Sequence, residues 1–187
     1  VPPVPGLRVL GLDTTIEGHD NGEIIKKELK WIKKEISKHP DDIVVTLSHH
    51  LFLPTWGNRD IPKWKKKYLL KNYQKVNAVL DSAPQVKACL MGHHHVSKIQ
   101  TINGLHYIAS PATVQYPHAF RTITIVDDAA RLEFHQIRDQ RIIELGKHNL
   151  STSKNAEEYA GGSAGDILAY CHGSASDNDV VLKLRRD

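Results

Sequence analysis

The spacing of apolar positions changes along the chain, and the changes divide it into elements. Residues 7–12, Leu-Arg-Val-Leu-Gly-Leu, predict a short buried strand ending at Asp13-Thr14. Over 23–38 the apolar residues Ile25, Leu29, Ile32 and Ile36 recur at helical spacing, with lysine and glutamate between them. Pro40 follows as a stop signal. Residues 43–47, Ile-Val-Val-Thr-Leu, are apolar without alternation, which suits a strand buried on both faces. After a loop holding Pro54, Trp56 and Pro62, a second helix is predicted over 66–82, with Leu69, Tyr73, Val76 and Leu80 on one face. A third apolar strand, 86–91, leads into Gly92-His93-His94-His95.

Alternating strands and helices argue for parallel strands joined by right-handed crossovers. After Val96 the texture changes to short strand candidates at 97–102, 105–109, 121–126 and 131–137 with close turns, Asn103-Gly104 being a strong hairpin signal. This half reads as antiparallel. From Lys147 the chain becomes Ser/Gly-rich, which marks 1–146 as the domain and 147–187 as a peripheral extension with one more strand at 180–184. No internal repeat is present.

Composition narrows the class. The 187 residues suit one domain. No apolar run approaches the roughly 20 residues of a membrane helix, and residues 1–6 lack the pattern of a secretory signal. The net charge of +4 favours anionic partners. The lysines at 63, 65, 66 and 67 read as a solvated helix start, which argues against nucleic acid. Cys89 and Cys171 are the only cysteines, too few for a disulfide framework, and point to a reducing, cytoplasmic setting.

The 12 histidines matter through their placement. Open α/β sheets place ligand sites just outside the carboxyl ends of their strands. Two of the three apolar strands end there in histidines, His49-His50 and His93-His94-His95. In an extended segment residues two apart point the same way, so His93 and His95 can face one ion while His94 faces elsewhere. Neutral imidazole is a good ligand for transition metals. A lone strand-end histidine is usually structural; two clusters at corresponding ends favour a metal site.

These motifs resemble those of the calcineurin-like metallophosphoesterases. Ser48-His49-His50 is similar to the family's metal-binding histidine motif, and Gly92-His93-His94-His95 to its Gly-His-x-His motif. Leu12-Asp13-Thr14 with Trp31-Ile32 is similar to the segment the family places just upstream, and Asn103-Gly104 with Ser110-Pro111-Ala112-Thr113 downstream resembles the cyclic-nucleotide phosphodiesterase-like branch. The resemblance spans about 7–137. Leu51 departs from it, standing where many members have proline. The implied fold is the second half of a four-layer α/β/β/α sandwich with a mixed sheet, parallel strands first and antiparallel hairpins after. By the same resemblance His49 and His93 bind one metal and His95 the other, with His50 and His94 in supporting or substrate-contacting positions. Trp56, Asn58 and Arg59 in the loop after His50, and Tyr116 and His118 further on, are candidate substrate contacts.

The family's chemistry is two-metal hydrolysis of phosphoesters, with manganese, iron or zinc as the ions. Its remaining ligands come from Asp-x-His, Gly-Asp-x-x-Asp and Gly-Asn-His motifs, none of which occurs here. The expectation is therefore a C-terminal part that lacks the bridging aspartate and the general acid, and is a poor phosphoesterase alone. The implied partners are a phosphoester or nucleotide and an N-terminal half of the same enzyme or another chain. Two other classes stay open: a non-catalytic interaction module that kept the fold, and a metal-binding or metal-sensing protein.

Overall fold

The three apolar runs become neighbouring strands of one sheet, as their buried, non-alternating composition requires. β1 (Leu7–Gly11), β2 (Ile43–Leu47) and β3 (Val86–Met91) lie side by side and parallel. The computed structural model describes residues 4–55, 67–153 and 164–184. In it β5 (Leu105–Ala109) adds parallel to β3, and β4 (Lys98–Ile102) pairs antiparallel with β5 at the edge, giving the order β1-β2-β3-β5-β4. The expected hairpin turn is present, with both Asn103 and Gly104 at positive φ. The assignment of everything after Val96 to an antiparallel half is corrected here. β5, buried at all five positions, takes the interior place beside β3.

A second, antiparallel sheet has the order β6-β7-β8, from β6 (Ala119–Val126), β7 (Ala129–Gln136) and β8 (Val180–Lys183). Burial alternates along β6, the pattern of a strand with one covered face. Ala130, Leu132 and Leu182 of this sheet meet Val45, Ala88 and Ile108 of the first. On the other face of the first sheet, α1 (Lys26–Ser37) and α2 (Tyr73–Asp81) bury Ile32, Ile36, Val76 and Leu80 in the larger core. The layers run helix, sheet, sheet: an α/β fold with a mostly parallel mixed sheet backed by an antiparallel one. No helix among the described residues is long and apolar enough to cross a membrane.

α1 starts later than its periodicity implied, and the helix predicted over 66–82 is interrupted, with Lys67 and Tyr68 helical and the helix resuming at Tyr73. Ile25 caps α1 and is 60% exposed, whereas Ile24 is fully buried and clamped by Asn72, whose Oδ1 accepts from Ile24 N and whose Nδ2 donates to Ile24 O. α2 begins at Tyr73, because Leu69 forms a parallel bridge to Leu51 beside the histidine loop.

The Ser/Gly-rich C-terminal segment is corrected too. α3 (Gln140–Thr152) runs through the boundary read at Lys147, and α4 (Ala164–His172) places Ile167 and Cys171 in the main core. Asp177 in α5 (Ala175–Asn178) ties this segment to β4. Its carboxylate accepts from Ile99 N at 2.9 Å, Ser174 N at 3.0 Å, Ser174 Oγ at 2.6 Å and Lys98 Nζ at 3.0 Å. Burial alone would raise its pKa, but those donors hold it below the usual value. Asp177→Ala is expected to cost about 2–4 kcal/mol in urea denaturation, because the backbone N–H of Ile99 and the Lys98 ammonium lose their shared acceptor.

Candidate metal centre

β2 and β3 are hydrogen-bonded neighbours, so their carboxyl ends deliver His49, His50 and His93 to one spot. Nitrogens of these three rings lie within 4.8 Å of one another, the one such group of three or more His, Cys, Asp or Glu side chains among the described residues. His49 Nε2 and His93 Nδ1 are 2.9 Å apart. The Nε2 of His93 faces the carbonyls of Lys67 at 2.8 Å and Asp20 at 3.0 Å, so it carries the proton and donates. Nδ1 is then the lone-pair nitrogen, accepting from His49 Nε2.

That spacing fits one ion. Nitrogens bound to a common metal at about 2.0–2.1 Å lie roughly 2.8–3.4 Å apart for octahedral to tetrahedral angles. His50 is held differently. Its Nε2 donates to Asp20 O at 3.2 Å, and its Nδ1 accepts from Thr14 Oγ1 at 2.7 Å. Both nitrogens are committed, so His50 braces the pair. His95 lies outside the cluster. Its Nδ1 donates to Gln115 Oε1 at 2.9 Å, which leaves Nε2 as its lone-pair nitrogen. No carboxylate joins the group among the described residues.

The 93–95 segment is not extended, which corrects the alternation argument. His93 and His95 both adopt left-handed backbone conformations, with φ of 64° and 57°. Such conformations are uncommon for residues with a Cβ and cost of order 1 kcal/mol or more each. The surroundings enforce them through His94, which is fully buried. Its ring lies 4.5 Å from Tyr68 and 5.9 Å from Tyr170. Its Nδ1 meets Thr55 Oγ1 at 3.1 Å, and Thr55 Oγ1 meets Tyr170 OH at 2.5 Å. His94 thus points away from the other two, as expected, but as an anchor.

The remaining candidates are placed as follows. Trp56, Asn58 and Arg59 lie outside the described residues. Tyr116 and His118 are buried and line a cavity beside α3. His118 Nδ1 donates to Thr113 O at 2.9 Å. Thr14, Asp20, Thr55, Gln115 and Tyr170 are the partners that sequence reasoning missed. They are ordinary loop or helix polar residues whose only signal is their three-dimensional position.

The cluster holds its histidines neutral, the form that binds metal. Burial lowers the pKa of His49 and His93, with repulsion from neighbouring histidines adding to it. His94 is lowered well below its ordinary value by burial. Burial also pushes His50 down to about 4, against the opposing pull of the Asp20 carbonyl. In the unfolded chain these groups titrate near 6.5. The unfolded state therefore binds more protons between pH 6.5 and 4, so this stability is fully present above 6.5 and is lost as pH falls through that window. Urea denaturation should show a decline of about 2–3 kcal/mol from pH 7 to 4.5. His50→Gln should reduce it, leaving the part due to His49, His93 and His94.

Known proteins give the geometry its context. No family model matches the chain. It is 31% identical over 132 residues to the 3',5'-cyclic adenosine monophosphate phosphodiesterase CpdA of Escherichia coli K12, covering 68% of this chain and 46% of that protein. It is 29% identical over 110 residues to a cAMP/cGMP dual specificity phosphodiesterase of Mycobacterium tuberculosis, covering 59% of this chain and 33% of that protein. Among solved structures, a dimetal phosphatase from Danio rerio aligns with a TM-score of 0.53 at 21% identity, over 62% of this chain and 36% of that one, which is a likeness of fold. These phosphodiesterase relatives are consistent with the resemblance of the histidine motifs to the calcineurin-like metallophosphoesterases. The chain spans about a third to a half of the length of these phosphodiesterase relatives. The chain's histidine loops stand at the carboxyl ends of parallel strands, where ligand sites form.

Proposed function

We propose that this chain supplies the histidine part of a metal-dependent phosphodiesterase acting on a nucleotide or similar phosphoester. The observation that carries the reading is the 2.9 Å approach of His49 Nε2 to His93 Nδ1 at the ends of two neighbouring parallel strands. His49 and His93 would hold one divalent transition metal, manganese, iron or zinc, and His95 would contribute Nε2 to a second. When bound, such ions supply positive charge to the phosphoryl oxygens and lower the pKa of water.

The chain's own residues orient the donors. The carbonyls of Asp20 and Lys67 fix the tautomer of His93, and Gln115 fixes that of His95. His94, Thr55 and Tyr170 hold the loop in its left-handed form. The two cysteines, both free and buried, support a reducing, cytoplasmic setting.

The lack of a carboxylate in the cluster among the described residues favours a second reading, metal binding without catalysis. Hydrolysis of bis(4-nitrophenyl) phosphate with manganese separates the two. The phosphodiesterase reading predicts slow turnover by the chain alone. It also predicts at least about tenfold faster turnover when the N-terminal half of the Escherichia coli relative is supplied in trans, lost again in His93→Ala. Metal binding with no turnover under either condition selects the second reading.

A further inference from the structure

The turn after the metal loops and α3 enclose a cavity of about 340 Å³ that none of these roles uses. Val114, Gln115, Tyr116, Ile142, Leu145 and Asn149 line it. Three of the walls are large apolar side chains left open to water: Val114 is 81% exposed, Leu145 58% and Ile142 44%. Exposed apolar residues scattered singly are ordinary, but three around one concavity mark a ligand mouth. The helix approaches the turn as closely as its sequence permits, since a Cβ at Gly146 would lie 2.1 Å from His118 Nε2.

An independent contact joins this cavity to the metal centre. Gln115 lines it and also accepts the hydrogen bond from His95 Nδ1 at 2.9 Å. Gln115 thus touches both the cavity and His95, the histidine assigned above to the second metal. We infer that the cavity receives the organic group of the phosphoester, an apolar, ring-bearing group of nucleoside size, while the phosphoryl group lies at the histidines. This rests on the reading of the histidines as a phosphoesterase centre. The volume sits at the small end of the range for ligand pockets, about 300–1,000 Å³. It suits one nucleoside rather than an oligonucleotide or peptide. Gln115 and Asn149 supply the few polar groups that orient a ligand in an otherwise apolar pocket.

Calorimetric titration of the 187-residue chain with manganese present tests this, using adenosine monophosphate and inorganic phosphate as separate probes. Ile142→Trp and Val114→Trp narrow the mouth at exposed positions where the fold tolerates bulk, checked by thermal melts. Both are expected to weaken adenosine monophosphate at least tenfold and leave phosphate unchanged, whereas His93→Ala weakens both probes. Unchanged adenosine monophosphate affinity in both tryptophan variants, an equal loss of phosphate, or a wild type that binds the nucleotide no more tightly than phosphate overturns the cavity assignment while leaving the histidine reading in place. Probe binding that His93→Ala does not alter, or a wild type that binds neither probe, overturns the histidine reading and the cavity inference with it.

Discussion

His93→Ala is expected to weaken divalent-metal binding by at least about 100-fold. Removing the partners that merely orient a metal ligand costs 10–100-fold, and His93 contributes the donor atom itself. The loss has no ready substitute in the fold. His50 is the nearest other histidine, with its ring 4.8 Å from that of His93, but its two nitrogens are engaged by Thr14 and Asp20. Titration calorimetry with zinc and manganese would measure the change. His50→Gln, which leaves His49 and His93 in place, should lose only about tenfold as the brace loosens. Equal affinity in His93→Ala and the wild type would mean that metal binds elsewhere on the chain.

Gly22→Ala should damage stability and metal binding together. A Cβ at position 22 would lie 2.4 Å from the Thr14 carbonyl oxygen and 2.4 Å from His50 Nδ1. Neither neighbour can move aside cheaply. Thr14 is 1% exposed and its carbonyl accepts from Glu23 N, while His50 is 3% exposed and bonded at both nitrogens. The cost is steric overpacking against backbone. It is expected to reach about 2–4 kcal/mol in urea denaturation, at or above the usual overpacking range. Because the displaced ring supports His49 and His93, metal affinity should fall in the same variant by about tenfold. Wild-type stability with wild-type affinity would show that the glycine is not required by this contact.

Much of the framework was legible because the apolar runs were unambiguous. The β2 and β3 runs lack polar interruptions and end directly in histidines, so both their burial and the position of the site followed from the pattern. Asn103-Gly104 likewise announced its hairpin. What failed were inferences that depend on long-range pairing. Nothing in Leu105–Ala109 distinguishes a strand with only an antiparallel partner from one that also pairs in parallel with β3. Tertiary contacts set the start of α2, since Leu69 continues the helical period but bridges to Leu51 instead. The Ser/Gly-rich composition around 151–165 obscured the apolar stripe of Ile167 and Cys171, which packs into the main core.

At the site, residue type was readable and backbone form was not. Period-two alternation would place His93 and His95 on one side, yet both adopt left-handed conformations because the buried His94 pins the loop between Tyr68 and Tyr170. Tyr170 lies 115 residues from its partner Thr55, a separation that no local pattern encodes.

The most direct test of the central claim is an anomalous-scattering map from crystals of the chain soaked with zinc, recorded at the metal edge. The account predicts a peak between His49 and His93, within about 2.0–2.1 Å of His49 Nε2 and His93 Nδ1, with Gln115 still bonded to His95 Nδ1. A map with no peak there, and the two imidazoles still hydrogen-bonded at 2.9 Å while zinc occupies other histidines, would contradict it.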